Sequence, residues 1–290
     1  MSKYNPCEYD PFTFYTAMKR PCTKIFLLFL LLLLLYCYSG FRMIGQENPY
    51  PETVEKVNIF ILGGQSNMAG RGGVDDKEWD EYVPTECLRN RRILRLNENS
   101  ELEEAEEPLH SGIDVNKTCG VGPGMAFANA ILEKDPNFGV IVLVPCAIGG
   151  TSITAWSGSN SSLRSQMIKR TNEALKYGGK IRAILWYQGE KDTETESASY
   201  LFPGEYRMFL CRLYQELKNP QIPFVQVALA SGQGEADWLE NVRASQIAVK
   251  NVITVDAMGL QVGEDGLHLT TNSQVCLGRM LADAFFSTIS

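Results

Sequence analysis

The segment Val57-Asn58-Ile59-Phe60-Ile61-Leu62 runs directly into Gly63-Gly64-Gln65-Ser66-Asn67-Met68-Ala69-Gly70. The first segment is rich in β-branched and large apolar side chains, which predicts a buried strand. The glycines that follow allow the backbone to turn sharply. Ser66 then lies just past a strand and just before a predicted helix. Its hydroxyl would be exposed at the sheet edge, where helix N–H groups can face a developing oxyanion. Ser66 is therefore a candidate nucleophile.

The chain beyond this stretch alternates between strand-like and helix-like segments. Further strands are predicted at 93–96, 138–144, 181–187, 223–229 and 251–255. Helices are predicted at 122–134, 161–177, 200–218, 238–249 and 271–287. The longer strands are almost wholly apolar, which is typical of a parallel sheet covered on both faces. The pattern predicts a doubly wound α/β sandwich.

Residues 71–120 interrupt this alternation. They contain two acidic runs, Asp75-Asp76 and 101–107, and one short strand candidate at 93–96. We expect this segment to cross the surface near the first turn. His110 lies within it, and we expect that histidine at the surface or the rim of the site.

The composition limits the chemistry. The chain has 290 residues and a formal net charge of −7, which argues against nucleic acid as the main partner. His110 and His268 are the only two histidines. The cysteines form no Cys-x-x-Cys pair and no cluster at zinc spacing, so we predict no metal site. Two alternatives remain for the five cysteines after residue 56. Either they form one or two disulfides, or they are buried free thiols.

The first 56 residues are predicted to lie outside the domain at 57–290. Residues 1–24 are polar and basic, and 25–39 form an unbroken apolar run. Such a run spans about 22 Å as a helix, short of the bilayer's hydrocarbon core of about 30 Å. Residues 40–56, which contain Pro49-Tyr50-Pro51, are predicted to be a linker.

Three alternatives follow for the apolar run. The basic residues before it favour a retained signal anchor with a cytosolic tail at 1–24. A cleaved signal peptide would give a secreted protein, and translation from Met43 would give a cytoplasmic one. Two glycosylation sequons, at Asn116 and Asn160, favour luminal or extracellular exposure of the domain. We therefore expect a single-pass membrane protein or a secreted one, with the cytoplasmic form as the alternative.

Four segments that follow predicted strands are polar or rich in glycine. Because sites in parallel sheets collect at the carboxyl ends of the strands, these segments are expected to meet. They are Gly64-Gln65-Ser66-Asn67, 145–152, Gln188-Gly189-Glu190 and 263–268.

Asp265 and His268 are candidate partners of Ser66. Their spacing of three in a loop before a helix lets both side chains point the same way. The carboxylate can then bind Nδ1–H of the imidazole, which leaves Nε2 free to accept the serine proton.

An oxyanion site needs two or three hydrogen-bond donors. The candidates are the N–H of Ser66, the N–H of Gly149 or Gly150, and the side-chain amide of Gln188. Glu190 is a candidate support, because its carboxylate could hold the side chain of Gln188 or of Asn67.

The ordered set of motifs resembles a known superfamily. Gly64-Gln65-Ser66-Asn67-Met68, Gly149-Gly150-Thr151, Gln188-Gly189-Glu190 and Asp265-x-x-His268 occur in that order. The set is similar to the SGNH (GDSL-like) hydrolases. It resembles more closely the plant sialate O-acetylesterase-like (SASA) domain proteins of carbohydrate esterase family 6. The resemblance covers residues 56–288.

This resemblance implies a three-layer α/β/α fold and a serine esterase that removes acetyl groups from carbohydrate without a cofactor. It makes Ser66 the nucleophile, His268 the base and Asp265 its orienting carboxylate. The implied oxyanion donors are Ser66, a glycine at 149 or 150, and Gln188. Gln65 and Asn67 are expected to shape the loop around the nucleophile. Lys191 departs from the family pattern, where a small residue is expected.

The function predicted from the sequence is removal of O-acetyl groups from a carbohydrate, such as an acetylxylan-type polymer, through an acetyl-enzyme on Ser66. The expected partners are an acetylated carbohydrate and, through residues 25–39, a membrane; nucleic acid is not expected. Two alternatives remain: a polysaccharide O-acetyltransferase with the same triad, and a non-catalytic carbohydrate-binding domain.

Overall fold

A computed structural model describes residues 56–288 of the chain. The predicted tail (1–24), apolar run (25–39) and all but the last residue of the linker (40–56) lie outside the described residues. Within 56–288, no helix is both long enough and apolar enough to cross a membrane. The membrane segment and the cellular location therefore stay predictions.

Nine strands and seven α-helices follow one another along the described part of the chain. The strands are β1 (Val57–Gly64), β2 (Val74–Asp75), β3 (Glu78–Trp79), β4 (Ile93–Leu96), β5 (Leu102–Glu104), β6 (Val140–Pro145), β7 (Lys180–Tyr187), β8 (Phe224–Ala228) and β9 (Ile253–Asp256). The helices are α1 (Ser66–Ala69), α2 (Pro123–Lys134), α3 (Ile153–Ser157), α4 (Ser162–Leu175), α5 (Glu196–Leu217), α6 (Ala236–Ala248) and α7 (Thr271–Phe286). Two 3-10 turns occur at Thr85–Cys87 and Glu190–Thr193.

Seven of the strands form one sheet with the order β5-β4-β6-β1-β7-β8-β9. All neighbours in it are parallel except β4 and β5, which are antiparallel. Strand β1 lies at the centre and pairs with β6 on one side and β7 on the other. The chain builds one half of the sheet and then the other, so the carboxyl end of β1 is a topological switch point, where ligands bind in such sheets.

Helices cover both faces of this sheet. On one face, the ring of Phe60 in β1 contacts Phe127 of α2 and Phe285 of α7, at centroid distances of 4.9 and 5.0 Å. On the other face, Trp186 of β7 stacks on Phe209 of α5 at 4.4 Å. Because β1 is buried on both faces from residue 58 onward, its sequence is apolar almost throughout. The predicted α/β/α sandwich with a mainly parallel sheet is confirmed.

Two features differ from the prediction for the first half of the chain. Residues 71–120 do more than cross the surface, because β4 and β5 extend the sheet and Ile93 and Leu96 are fully buried. His110 is completely buried rather than exposed. Burial and, secondarily, the charge of Arg71 lower the pKa of His110 to about 3, so its ring is neutral.

The remaining differences are local. Helix α5 begins four residues before its predicted start, because the Thr195 hydroxyl accepts a hydrogen bond from the Ala198 N–H at 3.3 Å and caps the first turn. The five cysteines in the described residues are free thiols.

Candidate active site

Ser66 lies where β1 turns into α1, and its side chain is nearly buried. The turn depends on Gly64, whose φ of +126° is rarely adopted by residues with a side chain. A Cβ atom built on Gly64 would lie 2.0 Å from the carbonyl oxygen of Tyr187. The Gln65 N–H donates to the same oxygen at 2.8 Å. The end of β7 therefore fixes the residue that precedes the serine.

Ser66, His268 and Asp265 form a continuous chain of hydrogen bonds. His268 Nε2 lies 2.9 Å from Ser66 Oγ, and His268 Nδ1 lies 2.5 Å from Asp265 Oδ2. Asp265 Oδ1 also accepts hydrogen bonds from the N–H groups of Leu267 and His268, both at 2.9 Å. Although burial raises the pKa of Asp265, the hydrogen bonds from His268 and Leu267 outweigh it and hold that pKa below its usual range. The carboxylate is thus ionised and aligned to hold the imidazole.

Asn67 joins the serine turn to the histidine loop. Its Oδ1 accepts from the Leu269 N–H at 2.9 Å, and its Nδ2 donates to the carbonyl of Leu267 at 3.3 Å. One carboxamide therefore holds the backbone on both sides of His268, although the two segments are about 200 residues apart in sequence. Asn67 thus links the turn that carries Ser66 to the loop that carries His268.

Glu190 is completely buried beneath Asn67 and accepts a hydrogen bond from Asn67 Nδ2 at 2.8 Å. Burial raises the pKa of Glu190 to about 7, although the hydrogen bond from Asn67 lowers it in part. Of the two partners predicted for Glu190, the structure shows Asn67. Gln65 lies beside this pair, and its Oε1 accepts a 3.4 Å hydrogen bond from the N–H of Lys191.

The backbone donors near Ser66 differ in what they contact. The Gly149 N–H donates to Asp114 Oδ2 at 3.1 Å, so it is already occupied. Among residues 56–288, neither the Ser66 N–H nor the Gly150 N–H donates to another group of the protein. Of the two glycines offered by the sequence, the structure therefore leaves Gly150 as the free donor.

Gln188 is not placed as predicted. Its side chain is fully buried, and its Nε2 donates to the carbonyl of Thr151 at 3.0 Å and to Asp192 Oδ2 at 2.5 Å. These two bonds use both N–H groups of the amide. Gln188 therefore holds the loop after β6 against the 3-10 turn, and its amide is not free to bind an oxyanion on Ser66.

A cavity of about 260 Å³ opens beside Ser66. Its lining carries three basic side chains, no carboxylate, and the polar groups of the serine and histidine loops. The lining residues are Gln65, Ser66, Arg71, Lys117, Gly149, Gly150, Lys191, Gln233, Leu267 and His268. Arg71 is paired with Asp114 and Lys191 with Glu194. Among residues 56–288, Lys117 is thus the cation of this lining that has no carboxylate partner, and it can attract groups that carry negative charge.

Four residues at the site were not among the candidates from the sequence: Arg71, Lys117 and Gln233 in the lining of the cavity, and Asp114 beside it. Arg71 directly follows the serine motif, so its position in the sequence was a usable signal. Asp114 and Lys117 lie in the irregular segment before α2 and carry no local signal. Across residues 56–288, no group of three or more His, Cys, Asp or Glu side chains is arranged to hold a metal ion.

Known proteins share this fold and sequence. The family model described as "Carbohydrate esterase, sialic acid-specific acetylesterase" (SASA) matches residues 56–287. The Arabidopsis thaliana protein named Probable carbohydrate esterase At4g34215 is 46% identical over 253 residues, which cover 84% of this chain and 96% of that protein.

Solved structures agree with this result. A crystal structure of the Arabidopsis thaliana protein AT4G34215, at 46% identity, has a TM-score of 0.76 and covers 80% of this chain and 99% of its own. NanS, at 16% identity, has a TM-score of 0.60 and covers 81% of this chain and 98% of its own, so it shows the fold alone. The resemblance predicted from the sequence is confirmed: this chain belongs to the SASA family of carbohydrate esterases and is a hydrolase that acts on ester bonds.

Proposed function

We propose that this protein is a serine esterase that removes O-acetyl groups from carbohydrate through an acetyl-enzyme on Ser66. The observation that carries the proposal is the chain of hydrogen bonds from Asp265 through His268 to Ser66 Oγ. This arrangement gives a serine hydroxyl a base and gives that base a fixed orientation.

The first half of the reaction acylates the enzyme. Ser66 Oγ attacks the carbonyl carbon of the acetyl ester while its proton moves to His268 Nε2. The carbonyl π electrons become a negative charge on oxygen, which the free N–H groups of Ser66 and Gly150 are suited to bind. When the tetrahedral intermediate collapses, the bond from carbon to the sugar oxygen breaks. The proton on Nε2 moves to that oxygen, and the deacetylated sugar leaves.

The second half restores the serine. Water attacks the acetyl carbon and gives a proton to His268 Nε2. The bond from carbon to Ser66 Oγ then breaks, Oγ regains the proton, and acetic acid leaves and gives its own proton to the solvent as it becomes acetate. Asp265 stays ionised throughout and stabilises the imidazolium formed in each half.

The basic lining of the cavity bears on the choice of sugar. Lys117 lies at the cavity without a carboxylate partner among the described residues, whereas Arg71 is paired with Asp114 and Lys191 with Glu194. The family description names a sialic acid-specific acetylesterase, and sialic acid carries a carboxylate. We therefore propose that a sugar with a carboxylate is preferred over a neutral one such as acetylated xylose.

The test compares Ser66→Ala and His268→Ala with Ser152→Ala as the matched control. The Ser152 hydroxyl pairs with Thr154 Oγ1 rather than with the triad. With p-nitrophenyl acetate, the first two variants are expected to lose roughly 10⁴- to 10⁶-fold in kcat, while the control stays near wild type. Wild-type turnover by Ser66→Ala would refute the triad. A wild-type protein that hydrolyses no acetyl ester would favour a binding domain.

A further inference from the structure

Two of the donors predicted for the oxyanion are occupied in the free protein. The Gly149 N–H is bound to Asp114, and the Gln188 amide is bound to Thr151 and Asp192. The Ser66 and Gly150 N–H groups are left. Because oxyanion sites of acyl-transfer enzymes are built from two or three such donors aimed at one point, the cavity has room for a third.

Arg71 is such a group, and it is buried at the cavity. Its exposed fraction is 7%, and it lines the same cavity as Ser66, Gly150 and His268. Its Nη1 donates to the Gly70 carbonyl at 2.7 Å and to Cys119 Sγ at 3.6 Å, and its Nη2 donates to Asp114. A guanidinium has five N–H groups. Within the described residues, two of these five therefore have no acceptor.

The guanidinium approaches the face of Gly149 that also meets the nucleophile. A Cβ atom built on Gly149 would lie 2.6 Å from Arg71 Nη2 and 3.5 Å from Ser66 Cβ. A side chain at 149 would collide with Arg71 and, at 2.9 Å, with Asp114 Oδ2, whereas its distance to Ser66 is an ordinary contact. Glycine therefore leaves room for the Arg71–Asp114 pair beside the serine. Arg71 and Ser66 line the same cavity, into which the ester carbonyl must enter for attack by Ser66.

Asp114 fixes the guanidinium in place. This carboxylate is nearly buried, and its Oδ2 accepts from both Arg71 Nη2 and the Gly149 N–H. The Asp114 N–H in turn donates to the carbonyl of the buried His110 at 3.1 Å. Because its position is set before substrate binds, Arg71 can stabilise a developing charge without reorganising during the reaction.

We propose that Arg71 is the third oxyanion donor of this enzyme, in the role that the sequence pattern predicts for Gln188, with Asp114 as the residue that positions it. The inference rests on the proposed acetyl-enzyme mechanism. The negative oxygen of each tetrahedral intermediate on Ser66 accepts a hydrogen bond from the free N–H groups of the guanidinium. A cationic donor is stronger than a neutral amide, because the hydrogen bond is charge-assisted.

The test uses the double variant Arg71→Met/Asp114→Asn, in which neither charge is left unpaired in the interior. The carboxamide that replaces the Asp114 carboxylate keeps an oxygen that can accept from the Gly149 N–H. Asp114→Asn alone keeps the arginine, Arg71→Lys keeps a cation but not the planar donor geometry, and the exposed Arg279→Met is the distant control. For each full-length variant, kcat and KM are measured with p-nitrophenyl acetate. The inhibition constant of phenylboronic acid is measured as well, because this acid forms a tetrahedral anion on a catalytic serine.

If Arg71 donates to the oxyanion, the double variant loses roughly 10²-fold in kcat with KM near wild type. Its affinity for the boronic acid falls by a similar factor, and Asp114→Asn retains more activity than the double variant. Arg71→Lys is expected to fall between the wild type and the double variant in both measurements. A kcat loss in the double variant without a loss of boronic acid affinity would overturn the proposal, because it would show a purely structural role.

A double variant with kcat within about threefold of wild type would also overturn the proposal. The Ser66→Ala variant separates this outcome from failure of the proposed function. If Ser66→Ala is inactive and the double variant is fully active, only the role of Arg71 is wrong. If Ser66→Ala is active, the acetyl-enzyme mechanism itself is wrong.

Discussion

Replacing Glu190 by Gln is expected to change how the stability of this protein depends on pH. The carboxyl group is completely buried, and burial raises its pKa to about 7 from an ordinary value of 4.5. In the unfolded chain the group loses its proton near pH 4.5, whereas in the folded protein it keeps the proton until about pH 7. Between these values the folded state binds more protons, so the free energy of unfolding falls as pH rises.

The size of this effect follows from the shift. A shift from 4.5 to about 7, at about 1.4 kcal/mol per pKa unit, corresponds to about 3 kcal/mol. This stability is fully present below pH 4.5 and is lost by the time the pH passes 7. Glu190→Gln cannot ionise, and its side-chain oxygen can still accept the hydrogen bond from Asn67. The free energy of unfolding of the variant minus that of the wild type should therefore increase by about 3 kcal/mol as the pH rises from about 4.5 to about 8.

The assay is urea unfolding followed by tryptophan fluorescence at several pH values from about 4.5 to about 8. The matched control is Glu194→Gln, which removes a half-exposed carboxylate from the same segment and should keep the wild-type pH dependence. A difference between Glu190→Gln and wild type that stays constant within about 0.5 kcal/mol over this range would refute the reasoning. Such a result would mean that Glu190 is ionised in the folded protein at acidic pH.

Three further predictions concern the turn, the core and the mouth of the cavity. Gly64→Ala should lower the free energy of unfolding by about 2–4 kcal/mol in urea titrations, because its Cβ would meet the Tyr187 carbonyl and its φ is positive; an unchanged midpoint would contradict this. Phe60→Ala should cost about 3–5 kcal/mol by calorimetry, since its ring fills the space between α2 and α7; a loss below about 1 kcal/mol would show that the core collapses around the gap. Lys117→Met should lower kcat/KM for an O-acetylated acidic sugar by about 3- to 10-fold at low salt, with little change for p-nitrophenyl acetate; equal losses on both substrates would argue against recognition of a carboxylate.

The oxyanion donors show most clearly where inference from the sequence stops. The chain order of Gly149, Gly150 and Gln188 indicates that they reach the same sheet edge, but not which way their N–H groups point. Those directions depend on two carboxylates. Asp114 accepts a hydrogen bond from the Gly149 N–H, and Asp192 accepts one from the side-chain amide of Gln188. The Gly149–Asp114 contact joins residues 35 positions apart, and the Gln188–Asp192 contact joins the end of β7 to the 3-10 turn four residues later. In neither case does the sequence show which way the donor points.

His110 shows the same limit for burial. Its neighbours in sequence are acidic and irregular, which is typical of a surface segment, yet β4 and β5 add to the sheet there and the histidine is enclosed. Helix α5 differs for a smaller reason, because its start depends on a capping bond from Thr195 rather than on the apolar pattern of its body. Strand pairing thus explains why His110 is buried, and capping explains why α5 starts earlier than predicted. The overall architecture agrees with the prediction.

The α/β sandwich, the family resemblance and the candidates Ser66, Asp265 and His268 can all be inferred from the residues without a structure. Apolar strands buried on both faces have a composition that is visible without a structure, and two histidines leave few alternatives for a base. Three features depend on the folded chain: Asn67 and Glu190 hold the histidine loop, the Gln188 amide is bonded to Thr151 and Asp192, and Arg71 reaches the cavity. The physical reason is that a hydrogen bond requires a distance and a direction. Both are set by contacts between segments that the order of residues does not bring together.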